Sequence, residues 1–333
     1  MNNKRIGSVL QISFLPLLIL FPFLATALDG GFYLAFAARV LIYAIAASAL
    51  NIALGIGGMV SLGHALFLGL GMYSVALPSH FGVNNGWVHL AITVASCALV
   101  GGISGWVSLR TTGIAFIMIT LAFAQMGYFV FVSLKQFGGD DGMAVASPSS
   151  FFGLQLGSPA AVYGCALALM VLMTIWIERL RNSPFGMALR AGRQSERRVA
   201  SIGIALHRYQ LSAYVISAVI CGVAGMLLAN LNAYASPSTM SWLVSGELIV
   251  MVVLGGMGTV LGPVVGAFVY LGVEEVLKAL TENWMAIFGL SILGIAMAGK
   301  SGLVGWLSGR LQKGARGSSE PSELAEVAKT EAA

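Results

Sequence analysis

The chain has 333 residues, 58% of them hydrophobic and 9% charged, with a mean hydropathy of +0.88. A soluble domain carries roughly a quarter charged residues, so a soluble globular protein is excluded, and the recurring long apolar runs mark membrane helices rather than alternating barrel strands. The net charge of +5 is held in one segment, residues 178–211, where seven arginines face Glu178 and Glu196, so the charge does not read as a nucleic-acid surface.

In chain order, apolar runs predict helices over residues 10–28, 33–56, 59–78, 87–109, 112–134, 159–178, 210–231, 244–258, 259–280 and 283–299. The first run follows Lys4 and Arg5 and ends near Ala25-Thr26-Ala27, which imitates a cleavable signal peptide. It is long enough to span, and Pro16 and Pro22 are tolerated in a membrane helix, so it is expected to stay. The runs at 59–78 and 244–258 are short and glycine-rich, which suits re-entrant or broken helices. A hydrophilic loop over 135–158 carries Lys135, Asp140 and Asp141. The expected organisation is an all-α polytopic membrane domain over residues 1–300, holding a basic segment at 179–209, then a polar tail over 301–333 whose composition predicts disorder.

Orientation follows from lysine and arginine placement. With the N-terminus inside, one side collects Lys4, Arg5, Arg110, the seven segment arginines, Lys300, Arg310, Lys313 and Arg316, and the other keeps Arg39, Lys135 and Lys278. Ten crossings then put both termini and the basic segment in the cytoplasm.

Catalytic and metal chemistry finds little support. Cys97, Cys165 and Cys221 sit inside apolar runs without ligand spacing and read as packing residues. Paired carboxylates, an H-E-x-x-H helix and a spaced Ser/His pair are all missing, and no cofactor or metal is expected. The run Gly294-Ile-Ala-Met-Ala-Gly299-Lys300-Ser301 matches a phosphate-binding loop literally. A working loop of that kind follows a strand and opens a helix; this one ends an apolar run, so Lys300 reads as a snorkelling anchor.

Two glycine-rich stretches, residues 50–71 and 251–272, share a similar order of glycines, valine and Leu-Gly pairs, which suggests an internal duplication. Gly258, Gly262 and Gly266 recur every four residues, and with Gly255 and Gly256 they suit close helix packing or a hinge. Polar groups inside the apolar runs are few: Asn51, Ser61, His64 and Glu247. Each suits either interhelical hydrogen bonding or the wall of a permeation path, and their scarcity argues against an ion-coupled pump.

In the basic segment, Asn182-Ser183-Pro184 is a helix start, with a capping side chain followed by proline. Phe185, Met187, Ala188, Leu189 and Ala191 form an apolar side, while Arg190, Arg193 and Arg197 share another. Gly192 and Gly203 predict a division into two short helices. An ordinary positive-inside loop, a lipid-headgroup site and a docking surface for a cytoplasmic partner all fit these features.

Three ordered stretches carry a resemblance. Asn51 to Gly71, with Ser61-Leu62-Gly63-His64, is similar to the N-L-x-x-G…S-L-G-H segment of the LivM/LivH permease subunits of branched-chain amino acid ABC importers. Ser183-Pro184-Phe185-Gly186, Arg190, Ala191, Arg193, Glu196, Ala200 and Gly203 resemble that family's cytoplasmic signature. Glu247, Val252 to Thr259, Gly262-Pro263 and Gly266-Ala267 resemble its late membrane signature. The chain looks closer to the LivM branch, and the likeness spans about residues 35–300. Met59, Gly192 and Gln194 depart from the usual pattern.

The resemblance implies a type II importer permease in the inner membrane. Its partners would be a second, LivH-like permease, two cytoplasmic ATPases and a periplasmic amino-acid-binding protein. It also implies that the basic segment couples to the ATPases. The same machinery serving urea or short amides, a self-sufficient channel or secondary transporter, and a structural subunit are the alternative readings.

Overall fold

The computed structural model describes residues 31–298. The expected first helix at 10–28, the tail over 301–333 and residues Gly299 to Ser301 lie outside them. Eleven helices are described: α1 Gly31–Asn51, α2 His64–His80, α3 Gly86–Ser108, α4 Ile114–Ser133, α5 Pro159–Asn182, α6 Pro184–Gln194, α7 Glu196–Ser201, α8 Leu206–Asn232, α9 Trp242–Gly255, α10 Gly262–Leu280 and α11 Trp284–Ala298.

Among the described residues, five helical stretches are long and apolar enough to cross a membrane: Phe32–Ile56, Gly86–Ser108, Ile114–Ser133, Pro159–Asn182 and Leu206–Asn232. The predicted crossings at 59–78 and 244–258 become the shorter α2 and α9, of 17 and 14 residues. At 1.5 Å per residue they measure about 25 Å and about 21 Å, against a hydrocarbon core of about 30 Å.

The core is built around α1 and α8. From Val40 to Leu50 nearly every side chain of α1 is sealed from solvent, because α8, α5, α10 and α9 surround it. Helix α2 lies along α8 so closely that a methyl group on Gly225 would overlap the Leu68 carbonyl. Cys97 and Cys221 are buried in the same layer, where Cys221 Sγ donates to the His64 carbonyl at 3.3 Å. On the periphery, α4 buries only Phe116, Thr120 and Ala124, spaced four apart, and exposes Ile114, Met118, Met126, Phe129 and Val130. Such an apolar outer face suits lipid or another membrane helix.

The loop expected at 135–158 folds into short 3₁₀ turns and strands. β1, Met143–Ala144, pairs antiparallel with β4, Tyr234–Ala235, and β2, Ser150–Phe151, forms a hairpin with β3, Leu154–Gln155. Short two-residue strands leave no periodic signal in the sequence. The loop is anchored from below: His89 bonds Ser149 Oγ at 2.8 Å, and the Ser149 amide donates to Asn230 Oδ1 at 2.8 Å.

At the opposite end lie the turn between α3 and α4, the arginine segment and both glycine-rich connections. Arg110, Arg179, Arg181, Arg190, Arg193, Arg197, Arg198 and Arg208 gather here, while Lys135 and Lys278 lie at the other end.

Candidate functional site

The first glycine-rich stretch begins where α1 ends. After Asn51 the chain makes one π-helical turn, Ile52–Ile56, in which Gly57 N bonds Ile52 O at 3.1 Å and Met59 N bonds Ala53 O at 2.9 Å. This wider turn uses the carbonyls of Ile52, Ala53 and Leu54 and leaves that of Gly55 pointing outward. The chain then doubles back, and α2 starts at His64, level with Ala49 of α1.

Starting a helix inside the bundle leaves its first N–H groups without water. Side chains from three places meet them. Thr120 of α4 accepts from Leu62 N at 3.2 Å, Ser61 Oγ accepts from Gly63 N at 3.1 Å, and Ser245 of α9 accepts from Ala65 N at 2.9 Å. His64 is wholly buried, with Nε2 bonded to Ser217 Oγ at 2.8 Å and its ring edge-on to Phe67 and Tyr214. Asn51, Ser61 and His64 therefore have no surface on an open passage in this conformation. Glu247, on α9, is half-buried beside the charges of Glu274 and Lys278 on α10.

The second glycine-rich stretch is also a helix–break–helix, but its glycines divide the work differently from the expected continuous face. Gly256 and Gly258 lie in the connection at φ 118° and 77°, a region that side chains with a Cβ disfavour. Gly255, Gly262 and Gly266 instead let α9 and α10 touch: a methyl on Gly266 would overlap the Met251 carbonyl. Thr259 closes the turn, donating to Gly256 O at 2.8 Å and accepting from Gly262 N at 3.0 Å.

The two breaks meet through one side chain. Asn51 Nδ2 donates to Thr259 O at 2.8 Å, and its Oδ1 accepts from Gly258 N at 2.9 Å. Asn51 is 1% exposed, so each bond replaces one that water cannot supply.

The arginine segment roofs this junction. Ser183 caps α6 by accepting from Gly186 N at 3.3 Å, with Pro184 at the first helical position, as the sequence predicts. The segment forms two short helices, but not by way of Gly192. That residue is inside α6, where Leu206 fills the space a Cβ would need, and the division falls at Ser195. Arg190 braces the corner with α5, donating to Arg181 O at 3.0 Å and Gly186 O at 3.4 Å. Arg193 turns inward and donates through Nη1 to the free carbonyl of Gly55, its stem lying flat on Gly58. A cation at a helix C-terminus is also favoured by the helix dipole. Ala191, Glu196, Ala200 and Gly203 are exposed, and Glu196 and Ala200 border a cavity beside the segment. This cavity, of about 830 Å³, is bounded by Gly57–Val60, the α3–α4 turn and Arg193–Glu196.

The phosphate-loop look-alike does not have the shape of one within the described residues. Gly294 to Ala298 form the last turn of α11, where a working loop would precede its helix. Sequence reasoning missed Thr120, Ser217 and Ser245, because a lone hydroxyl inside an apolar run gives no sign of the distant backbone group it serves.

Residues 32–296 match the family described as branched-chain amino acid transport system, permease component. The chain is 28% identical over 273 residues to the high-affinity branched-chain amino acid transport system permease protein LivM of Escherichia coli K12, covering 75% of this chain and 64% of that protein. It is 27% identical to LivH of the same strain, covering 71% of this chain and 82% of LivH. A probable LivM of Methanocaldococcus jannaschii is 30% identical over 155 residues, 41% of this chain and 44% of that protein. The chain thus spans just under two thirds of the length of its Escherichia coli LivM relative. No solved structure matches it.

Proposed function

Because the chain belongs to the family of branched-chain amino acid transport permease components, we propose that it is a membrane subunit of an ATP-driven importer, passing branched-chain amino acids inward. The fold type is that of a type II importer permease with about ten membrane segments and both termini in the cytoplasm. Its partners are a second, LivH-like permease, two cytoplasmic ATPases that carry all ATP hydrolysis, and a periplasmic amino-acid-binding protein.

The observation that carries this reading is the α6–α7 pair at the arginine-rich end, its first helix capped by Ser183 and tied through Arg193 to the break after α1. A positive-inside loop needs arginines but no folded seat. Ala191, Glu196, Ala200 and Gly203 form the face offered to an ATPase. Gly186 and Arg190 fold the corner that presents it, and Arg193 joins the pair to the bundle. Gly255, Gly256, Gly258, Gly262 and Gly266 form the hinge between α9 and α10. Glu247 lines the translocation path, and Asn51, Ser61 and His64 form the frame behind it. The scarcity of such groups fits an importer whose binding protein selects the substrate.

Reconstitution tests the reading. Leucine uptake into proteoliposomes is expected only when both permeases, the ATPases, the binding protein and ATP are present. Flux through this chain alone overturns it.

A further inference from the structure

The coupling segment touches the bundle in a way that the docking role does not require. Arg193 reaches the Gly55 carbonyl, the acceptor left free by the π-turn. Four residues earlier, Asn51 holds the second break by both ends of its amide, at Thr259 O and Gly258 N. The breaks themselves are in contact: a Cβ at Gly55 would run into the Gly258 amide, and one at Gly258 would lie 3.0 Å from Gly55 O and 3.6 Å from Arg193 Nη1.

We propose that Arg193 and Asn51 are positioning residues that carry displacement of the α6–α7 pair first to the break after α1 and then to the break between α9 and α10. The inference rests on the importer reading, in which ATPases move that pair. The direction of transfer follows from the partners. Arg193 is the side chain whose hydrogen bond ties the segment to the first break, and Asn51 is the side chain bonded to two consecutive residues of the second, Gly258 and Thr259. All three partners of the two side chains are main-chain groups, so a shift of α6 pulls on backbone rather than on a rotatable side chain. Helix α9 also supplies Ser245 to the first turn of α2. A hinge motion at Gly256–Gly258 therefore reaches α2 as well, and one input at the arginine end moves three helices.

The relay predicts an order of loss that a merely structural role would not produce. The experiment is hydrogen–deuterium exchange on the assembled importer, with and without a non-hydrolysable ATP analogue, read on peptides covering 52–63, 183–205 and 255–262. In the unaltered complex the nucleotide is expected to change exchange in all three. Asn51→Ala is expected to keep the change at 183–205 and 52–63 and lose it at 255–262. Arg193→Gln is expected to keep it at 183–205 alone, and Arg193→Lys to restore part of the response at 52–63. If Asn51→Ala fails to assemble, the near-isosteric Asn51→Leu, which also loses both bonds to Gly258 N and Thr259 O, serves the same comparison. A response at 255–262 that survives in whichever Asn51 variant assembles overturns the relay. No response at 183–205 in the unaltered complex overturns the importer reading itself, which separates the two failures.

Discussion

Ser217 stands between His64 and Ala49: its hydroxyl donates to the Ala49 carbonyl at 2.5 Å and accepts from His64 Nε2 at 2.8 Å. With the single hydroxyl proton given to Ala49, the proton between the pair belongs to the imidazole, so His64 donates through Nε2. This contact fixes α8 to the end of α1 and the start of α2 at one point. Ser217→Ala takes one bond from the Ala49 carbonyl and leaves the buried His64 Nε2–H without its partner, which costs about 1–3 kcal/mol. A fall in the melting temperature of the purified complex is expected, with Ser217→Thr closer to the parent. An unchanged melting temperature for Ser217→Ala would refute the bridge.

Ser245→Ala should act at a distance. It lies on α9, yet the group it frees is the Ala65 amide at the start of α2. Loss of such a cap costs about 0.5–2 kcal/mol. Exchange of the amides at residues 62–66 should accelerate, while the middle of α9 is unaffected. Faster exchange confined to α9 would contradict the assignment.

Gly266→Leu is expected to be severely damaging in the late membrane region. The α9–α10 approach leaves no room for a side chain at this position, and overpacking costs about 1–3 kcal/mol or more. The yield of folded protein in detergent should drop sharply. Gly272→Leu, where a Cβ meets nothing, is the control expected to express normally.

Arg190 is bound twice to main chain at the α5–α6 corner, so charge alone does not describe it. Arg190→Lys keeps the charge but loses the planar fork. Recovery of the ATPases with the tagged permease should fall severalfold for Arg190→Lys and further for Arg190→Glu. Equal recovery across the series would remove the corner from the docking role.

Lys300→Ala tests the phosphate-loop match directly. Transport and ATP hydrolysis by the assembled complex are expected to be unchanged, because the match reads as a helix end with an anchoring lysine. A loss of nucleotide binding to this chain would restore the motif.

The membrane class, most helix limits and the Ser183-Pro184 start were legible in the sequence, since apolar length and capping chemistry are local properties. The two broken helices were legible as glycine-rich anomalies, and their resemblance to one another was visible before they were seen to touch. What was not legible was the pairing. Asn51 and Glu247 look alike in the sequence, as isolated polar groups in apolar runs. Only the fold separates an amide closed on two backbone groups from a carboxyl group half-buried beside Glu274 and Lys278. Gly192 misled for a related reason: its value lies in the space given to Leu206, a neighbour 14 positions on, not in breaking a helix.

The Asn51–Gly258 bond joins residues 207 positions apart and so bears on biogenesis. Translation at about 5–20 residues per second separates them by roughly 10–40 s. Throughout that interval α1 is already made while its amide has no partner in the second break. The earliest described helix thus waits on almost the latest before its polar group is satisfied. Truncations ending before residue 256 should accordingly be recognised as unfinished by membrane quality control, even with α1 to α8 complete.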